Sequence, residues 1–325
     1  MNKKVIFISW QNHRRSQTLS RRLDIKLTEI LSGCHKFIRY PLLFVKTFRI
    51  IKKENPDCVI VMNPSLLLSL FTVVWGKILG KAVIIDAHNV GIHFEHFNML
   101  LRRTGQRLNR FIMKNAALTI VTNLGLAEYV TANKGKPFII PDPLPIFGKY
   151  RKLRLKGEKN VFYICTFSGD EPYMELLKAA EYIDEKIFIY VSGDYNSKAL
   201  PEKSASNIIF TGYLSETEYV DYLHSADIIV DLTYRQDCLV CGAYEAVAAE
   251  KPMVLSDTSA LKNYFRDAAL YTTDSPEDIS RRINEAVKDI PGLTEKVKKL
   301  KAGCEKEWMK KKKKFEEAVS YISDK

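Results

Sequence analysis

The sequence predicts an α/β protein: two doubly wound domains in tandem, facing each other across a cleft. Three observations carry this. Short apolar, β-branched runs alternate with longer amphipathic segments, the pattern of repeated βα units on a parallel sheet. The alternation pauses at a Pro-rich and then basic stretch, Pro141-Asp-Pro-Leu-Pro145 through Lys149-Tyr-Arg-Lys-Leu-Arg-Leu-Lys156, and restarts beyond it. A length of 325 residues suits two ordinary domains, and 46% apolar content supplies a large core. The expected bounds are 1–145, a linker at 146–158, a second domain at 159–292, and one or two helices over 293–325 packing back toward the first domain. In such sheets ligands sit beyond the carboxyl ends of the strands, here in the cleft.

Taken in order, the first half has strand patterns at 5–9, 36–39, 58–62, 82–86, 118–122 and 138–140. Helical patterns fill 16–32, 41–54, 66–79, 97–115 and 124–133. The segment 65–80 is very apolar but too short to span a bilayer, so it reads as a helix buried against the sheet. The segment 97–115 sets Arg102, Arg103, Arg107, Arg110 and Lys114 beside Leu100, Leu101, Leu108, Phe111 and Ile112. It reads either as a basic amphipathic helix lying on an anionic membrane surface or as a solvated face over a core stripe. In the second half, strands are expected at 161–165, 187–192, 208–210, 228–231, 253–255 and 269–271. Near the end, Cys304, Trp308, Phe315, Val319 and Ile322 share a helical face, with the lysines of 310–314 mostly opposite.

Charge narrows the partners. The net charge of +12 is uneven: residues 1–150 carry 23 Lys and Arg against 8 Asp and Glu, whereas residues 151–325 carry 27 against 30. The first half faces anions, for which nucleic acid, an anionic membrane surface or a phosphate-bearing substrate would serve. No zinc-finger or RNA-binding signature accompanies the charge, so no nucleic-acid partner is expected. Six cysteines without a framework pattern suggest reduced thiols and a cytoplasmic protein, peripheral on the membrane if the basic helix docks there. Cys238 and Cys241 form a lone Cys-x-x-Cys with no second ligand pair, and Met1-Asn-Lys-Lys leads into an apolar run too short for a signal peptide.

The stretch with the most chemistry is Asp237-Cys-Leu-Val-Cys-Gly-Ala-Tyr-Glu245, ahead of a helix that ends at Lys251-Pro252. Gly242 and Ala243 at the expected helix start would let an anionic ligand approach free N–H groups at the positive end of the dipole. Glu245, about one turn inside, is placed to accept hydrogen bonds from hydroxyls. An acid pair alone is also what a capped helix carries.

Upstream of it, Asn207-Ile-Ile-Phe-Thr-Gly-Tyr-Leu214 precedes Tyr219-Val-Asp-Tyr-Leu-His-Ser-Ala-Asp227-Ile-Ile-Val-Asp-Leu-Thr233. That succession resembles the donor half of family 4-type glycosyltransferases, which have two Rossmann-like domains in the GT-B architecture. The resemblance implies sugar transfer from a UDP- or GDP-linked nucleotide sugar to a hydroxyl acceptor. It implies Glu245 on the ribose hydroxyls, Asp237 near the donor sugar where the family more often has Glu, and Gly242 and Ala243 at the diphosphate. Gly193 lines the same cleft, and Gly212, Tyr213 and Leu214 lie beside the nucleobase. Arg235 is a candidate phosphate partner or an ordinary surface charge.

In the first half, Arg14, Arg15 and Ser16 stand at a helix start where many members have a Gly-rich loop, and would suit phosphate. Asp86-Ala-His88-Asn89 resembles a segment of some members and of mannosyltransferases acting on dolichol-linked sugars. It makes His88 the candidate contact at the transferred sugar, with Asn89 beside it. Asp170-Glu171 stands where retaining members carry a basic pair, which leaves the stereochemistry open. No Asp-x-Asp occurs, so no metal and no cofactor beyond the nucleotide sugar are expected. The basic first half suggests an acceptor with phosphate, such as a glycan growing on a lipid diphosphate for a surface polysaccharide. Two other readings use the same fold, a non-catalytic sugar-nucleotide-binding subunit and a sugar-nucleotide 2-epimerase.

Overall fold

The computed structural model describes residues 3–63, 65–87, 99–196, 200 and 205–324. The chain forms two compact units, Met1–Pro143 with Glu307–Lys325, and Leu144–Lys306.

In the first unit six parallel strands, β1 (Val5–Ser9), β2 (Lys26–Glu29), β3 (Cys58–Met62), β4 (Ala82–Asp86), β5 (Leu118–Val121) and β6 (Pro137–Ile139), lie in the order β2-β1-β3-β4-β5-β6. Every residue of β1 and β3 is buried, because helices cover both faces of a parallel sheet. One face carries α2 (Lys36–Glu54), α3 (Leu66–Leu79), α4 (Met99–Asn115) and α5 (Leu124–Ala132), whose Leu43, Leu68, Ile112 and Val130 pack with Ile6, Ile8, Val59 and Val61. The other carries α1 (Arg14–Leu23) and the end of α11 (Ile290–Ser323), where Leu19, Leu23, Trp308, Phe315 and Val319 meet Phe7, Ile60 and Ile84.

The second unit holds β7 (Lys159–Tyr163), β8 (Ile187–Ser192), β9 (Ile208–Gly212), β10 (Ile228–Asp231), β11 (Met253–Ser256) and β12 (Ala269–Thr272), ordered β12-β11-β10-β7-β8-β9 and all parallel. Its helices are α6 (Tyr173–Ala179), α7 (Glu216–Ser225), α8 (Cys241–Ala248), α9 (Ser259–Phe265) and α10 (Pro276–Lys288). Strand order reverses between β1 and β3 in the first unit and between β7 and β10 in the second, the crevices where doubly wound sheets take ligands.

The structure differs from the sequence expectation in three places. The helix expected over 16–32 stops at Leu23, because Asp24 takes a left-handed conformation (φ 57°, ψ 41°) and its N–H closes on the Arg21 and Ser20 carbonyls. Residues 26–29 then form β2, and 36–39, expected as a strand, are the first turn of α2. Pro41 lies inside α2 on its exposed side, where the carbonyl left without an N–H can turn to water. Residues 146–158, expected as a linker, belong to the second unit, which begins at Leu144. Leu144 is buried in its core, and the Arg151 and Leu153 amides donate to Asp221 (2.7 Å) and to the Ser225 hydroxyl (2.8 Å). The terminal helix serves both units: Val297 is buried in the core of the second and Phe315 in that of the first.

Phe315 is fully buried and stacks edge-on against Phe138. Phe315→Ala should cost the first unit about 3–5 kcal/mol, read as a lower denaturant midpoint. An unchanged midpoint would mean the helix end is not part of that core.

Candidate functional site

At the carboxyl edge of the second sheet, the chain leaving β7 folds back on its own acid. Glu171 accepts from the Thr166 amide (2.9 Å) and the Ser168 amide (3.0 Å) through Oε2, and from the Thr166 hydroxyl (2.9 Å) through Oε1. Phe167 inside this loop is left-handed (φ 56°), a conformation its burial against Tyr173, Tyr195 and Phe210 holds in place. Asp170 ties the loop to the chain leaving β10. Its carbonyl accepts from the Tyr234 amide (2.8 Å) and its carboxylate pairs with Arg235 Nε (3.0 Å). Arg235 is therefore an ion-paired clamp across the switch point rather than an ordinary surface charge.

Asp231 ends β10 beneath α8. Its Oδ2 accepts from the Gly242 amide at 2.8 Å. The glycine is required by this approach, since a Cβ there would sit 2.5 Å from Asp231 Oδ2 and 2.6 Å from Ile164 Cδ1. The Gly242 N–H expected to meet a diphosphate is thus engaged by a side chain of the protein, and Ala243 beside it is wholly buried. Burial first, and then the charges of Glu171 and Glu245, push the Asp231 carboxyl well above the usual carboxylate range, against the hydrogen bonds from the Gly242 and Ala243 amides. Glu245 is buried one turn into α8, and the Tyr219 phenol of α7 donates to its Oε2.

The neighbouring strand ends close the edge. Gly193 follows β8 at φ 109°, where a Cβ would fall 2.3 Å from the Cys165 carbonyl oxygen, and its amide donates to the Gly212 carbonyl (3.0 Å). Tyr213 is 85% exposed, while Leu214 packs partly into the core. Asp237 is half-buried in the turn between β10 and α8. The second unit therefore gathers Glu245, Gly242, Arg235 and Gly193 around one switch point. The sequence marks Glu171 beside Asp170 without its hold on the loop, and it assigns no role to Asp231 or Tyr219. An acid closing an apolar strand run, Ile228-Ile-Val-Asp231, was the available sign of a buried carboxyl.

In the first unit two expectations change. The Arg15 guanidinium is buried and lies on Asp86 (Nε to Oδ1 3.1 Å, Nη2 to Oδ1 2.9 Å) and Asp142, and Nη2 also donates to the Ile140 carbonyl (3.2 Å). Burial opposes its charge, and Asp142 and Asp86 outweigh this, so its pKa stands above the usual arginine value. It is a structural cross-link, not a phosphate ligand. Ser16 is also buried, its hydroxyl on the Met62 sulfur (2.9 Å). Arg14 is exposed, and His13 caps α1 by accepting from the Arg15 amide at Nδ1 (3.3 Å). His88 and Asn89 lie outside the described residues. Among the described residues, no group of three or more His, Cys, Asp or Glu side chains is arranged to hold a metal, and no helix is long and apolar enough to cross a membrane.

Comparison with known proteins follows the same division. Residues 149–304, a stretch inside the second unit, match the family model for glycosyl transferases group 1. No curated protein sequence matches. Among solved structures the chain is similar to Anabaena Alr3699/HepE in complex with UDP-glucose, with a TM-score of 0.73 and 12% identity over 98% of this chain and all of that one. It is also similar to a glycosyltransferase from Rickettsia africae, with a TM-score of 0.65 and 13% identity over 99% of each chain. A third is the sucrose-phosphate synthase of Thermosynechococcus elongatus, with a TM-score of 0.67 and 15% identity over 87% of this chain and 77% of that one. These likenesses show the fold, the two-Rossmann-domain GT-B fold expected from the sequence.

Two substitutions test the site's construction. An acid whose pKa folding raises contributes stability that is fully present below its unfolded value, near 4, and is lost as pH rises through the folded value. Asp231→Asn keeps an acceptor for Gly242 without an ionisable group. It should therefore gain stability over the wild type as pH rises from about 4 to 8, by on the order of 1 kcal/mol or more in urea unfolding. Parallel pH profiles for the two proteins would refute a raised Asp231. Arg15→Ala strands two carboxylates, one fully buried, and should cost about 3–5 kcal/mol by the same assay; a loss below about 1 kcal/mol would show the pair is dispensable.

Proposed function

We propose that this chain transfers a hexose from a nucleotide sugar to a hydroxyl acceptor. One coincidence of position supports it. The stretch similar to glycosyl transferases group 1 contains the switch point where Glu245 is buried under the Tyr219 phenol. In this reading Glu245 accepts from the ribose hydroxyls, and Gly193, Gly212, Tyr213 and Leu214 border the nucleobase. Asp237 faces the donor sugar, and Arg235, its Nε held by Asp170, turns its terminal nitrogens to the diphosphate. As the anomeric bond breaks, negative charge grows on the diphosphate and the guanidinium stabilises it. The raised pKa of Asp231 fits this assignment, because it works against a full negative charge at the start of α8, where an anionic ligand would lie.

The donor we favour is UDP-linked, in line with the UDP-glucose held by the similar Anabaena protein. Transfer needs no metal in this proposal and no cofactor beyond the nucleotide sugar. The acceptor is a glycan growing on a lipid diphosphate, reached from the cytoplasmic side, with His88 as the candidate contact at the transferred sugar and Asn89 and Arg14 as phosphate or acceptor candidates. A second reading, a non-catalytic subunit that binds the nucleotide sugar, has its own support. Asp170 and Glu171 occupy the place of a basic pair, and the Gly242 amide is already engaged.

Thermal stabilisation and slow hydrolysis across UDP- and GDP-sugars, with and without a chelator, separate these readings. A donor at one hundred times its dissociation constant should stabilise the wild type by about 2.7 kcal/mol. Hydrolysis should survive chelation, and Glu245→Ala should lose both effects. Stabilisation without turnover, lipid-linked acceptors included, would favour the binding subunit; no stabilisation by any nucleotide sugar would defeat both.

A further inference from the structure

Three helices on one face of the first sheet carry a surface that donor binding leaves unexplained. α2 buries Leu43, Thr47 and Ile51, and its outward side divides along the axis. The beginning exposes Phe37 (85%), Ile38 (59%), Leu42 and Val45, whereas the second half exposes Lys46, Arg49, Lys52 and Lys53. Phe44 and Phe48 of α2 stack on Phe71 and Trp75 of α3, which exposes Val74, Ile78 and Leu79 beside them. α4 packs on α3 and exposes Phe111 with Arg103 and Arg107. In sequence α2, α3 and α4 hold six, one and five Lys or Arg, and their single acid is Glu54. That carboxylate is paired with Lys4 and Lys26. Among the described residues, no carboxylate pairs with Lys46, Arg49, Lys52, Lys53, Arg103 or Arg107.

We infer that this face docks on an anionic lipid bilayer, with Phe37 and Ile38 entering the headgroup boundary and the basic half of α2 over lipid phosphates. A solvated face accounts for the cations but not for an exposed Phe-Ile pair beside Leu42 and Val45. Nucleic acid likewise uses the cations and leaves the aliphatic side chains in water. A membrane surface satisfies both, apolar side chains by burial and each cation by about fivefold in affinity. The topology also sets an orientation. α2, α3 and α4 connect parallel strands and run antiparallel to them, so the Phe37 end of α2 lies at the carboxyl edge of the sheet. The docking stands on the surface alone. That it brings a lipid-borne acceptor to the strand ends rests on the transferase reading.

The test is flotation of the full chain with phosphatidylcholine vesicles, with and without phosphatidylglycerol, at low and high salt. Wild type should float with the anionic vesicles at low salt, and weakly or not at all with neutral ones. Phe37→Glu with Ile38→Glu should weaken binding by more than about tenfold at either salt, and Lys46→Glu with Arg49→Glu should do so chiefly at low salt. These side chains are exposed, so thermal unfolding and nucleotide-sugar stabilisation of the variants should match the wild type. Failure of the wild type to float would overturn the proposal, as would flotation unaffected by either variant pair. So would light scattering that shows a dimer which Phe37→Glu dissolves, or RNA binding without vesicle binding. If vesicles bind but no nucleotide sugar does, docking survives and the transferase reading falls.

Discussion

The Asp231 carboxyl sits where three demands meet. The first turn of α8 offers amide N–H groups and the positive end of a dipole, which favour a carboxylate. Full burial, with Glu171 and Glu245 close by, disfavours it. The result is a carboxyl whose pKa is pushed up although it accepts from the Gly242 amide. That bond fixes the start of α8 against the end of β10, and one turn later the helix carries Glu245 to its place under Tyr219. Every residue proposed to meet the donor on α8 inherits its position from this contact.

The first unit handles charge in the opposite way. There a buried guanidinium joins the ends of segments far apart in the chain, 71 residues to Asp86 and 127 to Asp142. A buried ion pair of this kind gains little net stability but is costly to break. With Arg15 committed inside, the basic surplus of the first half has to appear elsewhere, and much of it lies on the outward sides of α2 and α4.

The central strands were legible because parallel strands buried on both faces read as unbroken apolar runs; β1, β3, β4, β8 and β10 fall where the sequence placed them. β2 is an edge strand, exposed or half-buried throughout, and Lys26-Leu-Thr-Glu29 has no such run. The opposite error arose at Lys36-Phe-Ile-Arg39, whose apolar pair faces solvent at a helix start and so imitates a strand. At the candidate site, Glu245 and Gly242 are singled out by a succession of segments that resembles a glycosyltransferase donor half, since an acid pair alone is also what a capped helix carries. Their surroundings were not legible: Tyr219 reaches Glu245 from another helix, 26 residues away, and the fate of the Gly242 amide depends on the side chain that ends β10. Arg15 shows the same limit, since a basic residue at a helix start looks like an anion ligand until its partners are in view.

Helix α11 contributes Trp308, Phe315 and Val319 to a core whose other members come from residues 5–140. During synthesis the first six strands leave the ribosome long before these side chains exist, so the part of that face which α1 does not cover stays apolar and open while the second unit is made. The second unit can collapse first. The N-terminal half then waits for residues 308–319 to complete its core, which leaves apolar surface open to a chaperone in the meantime.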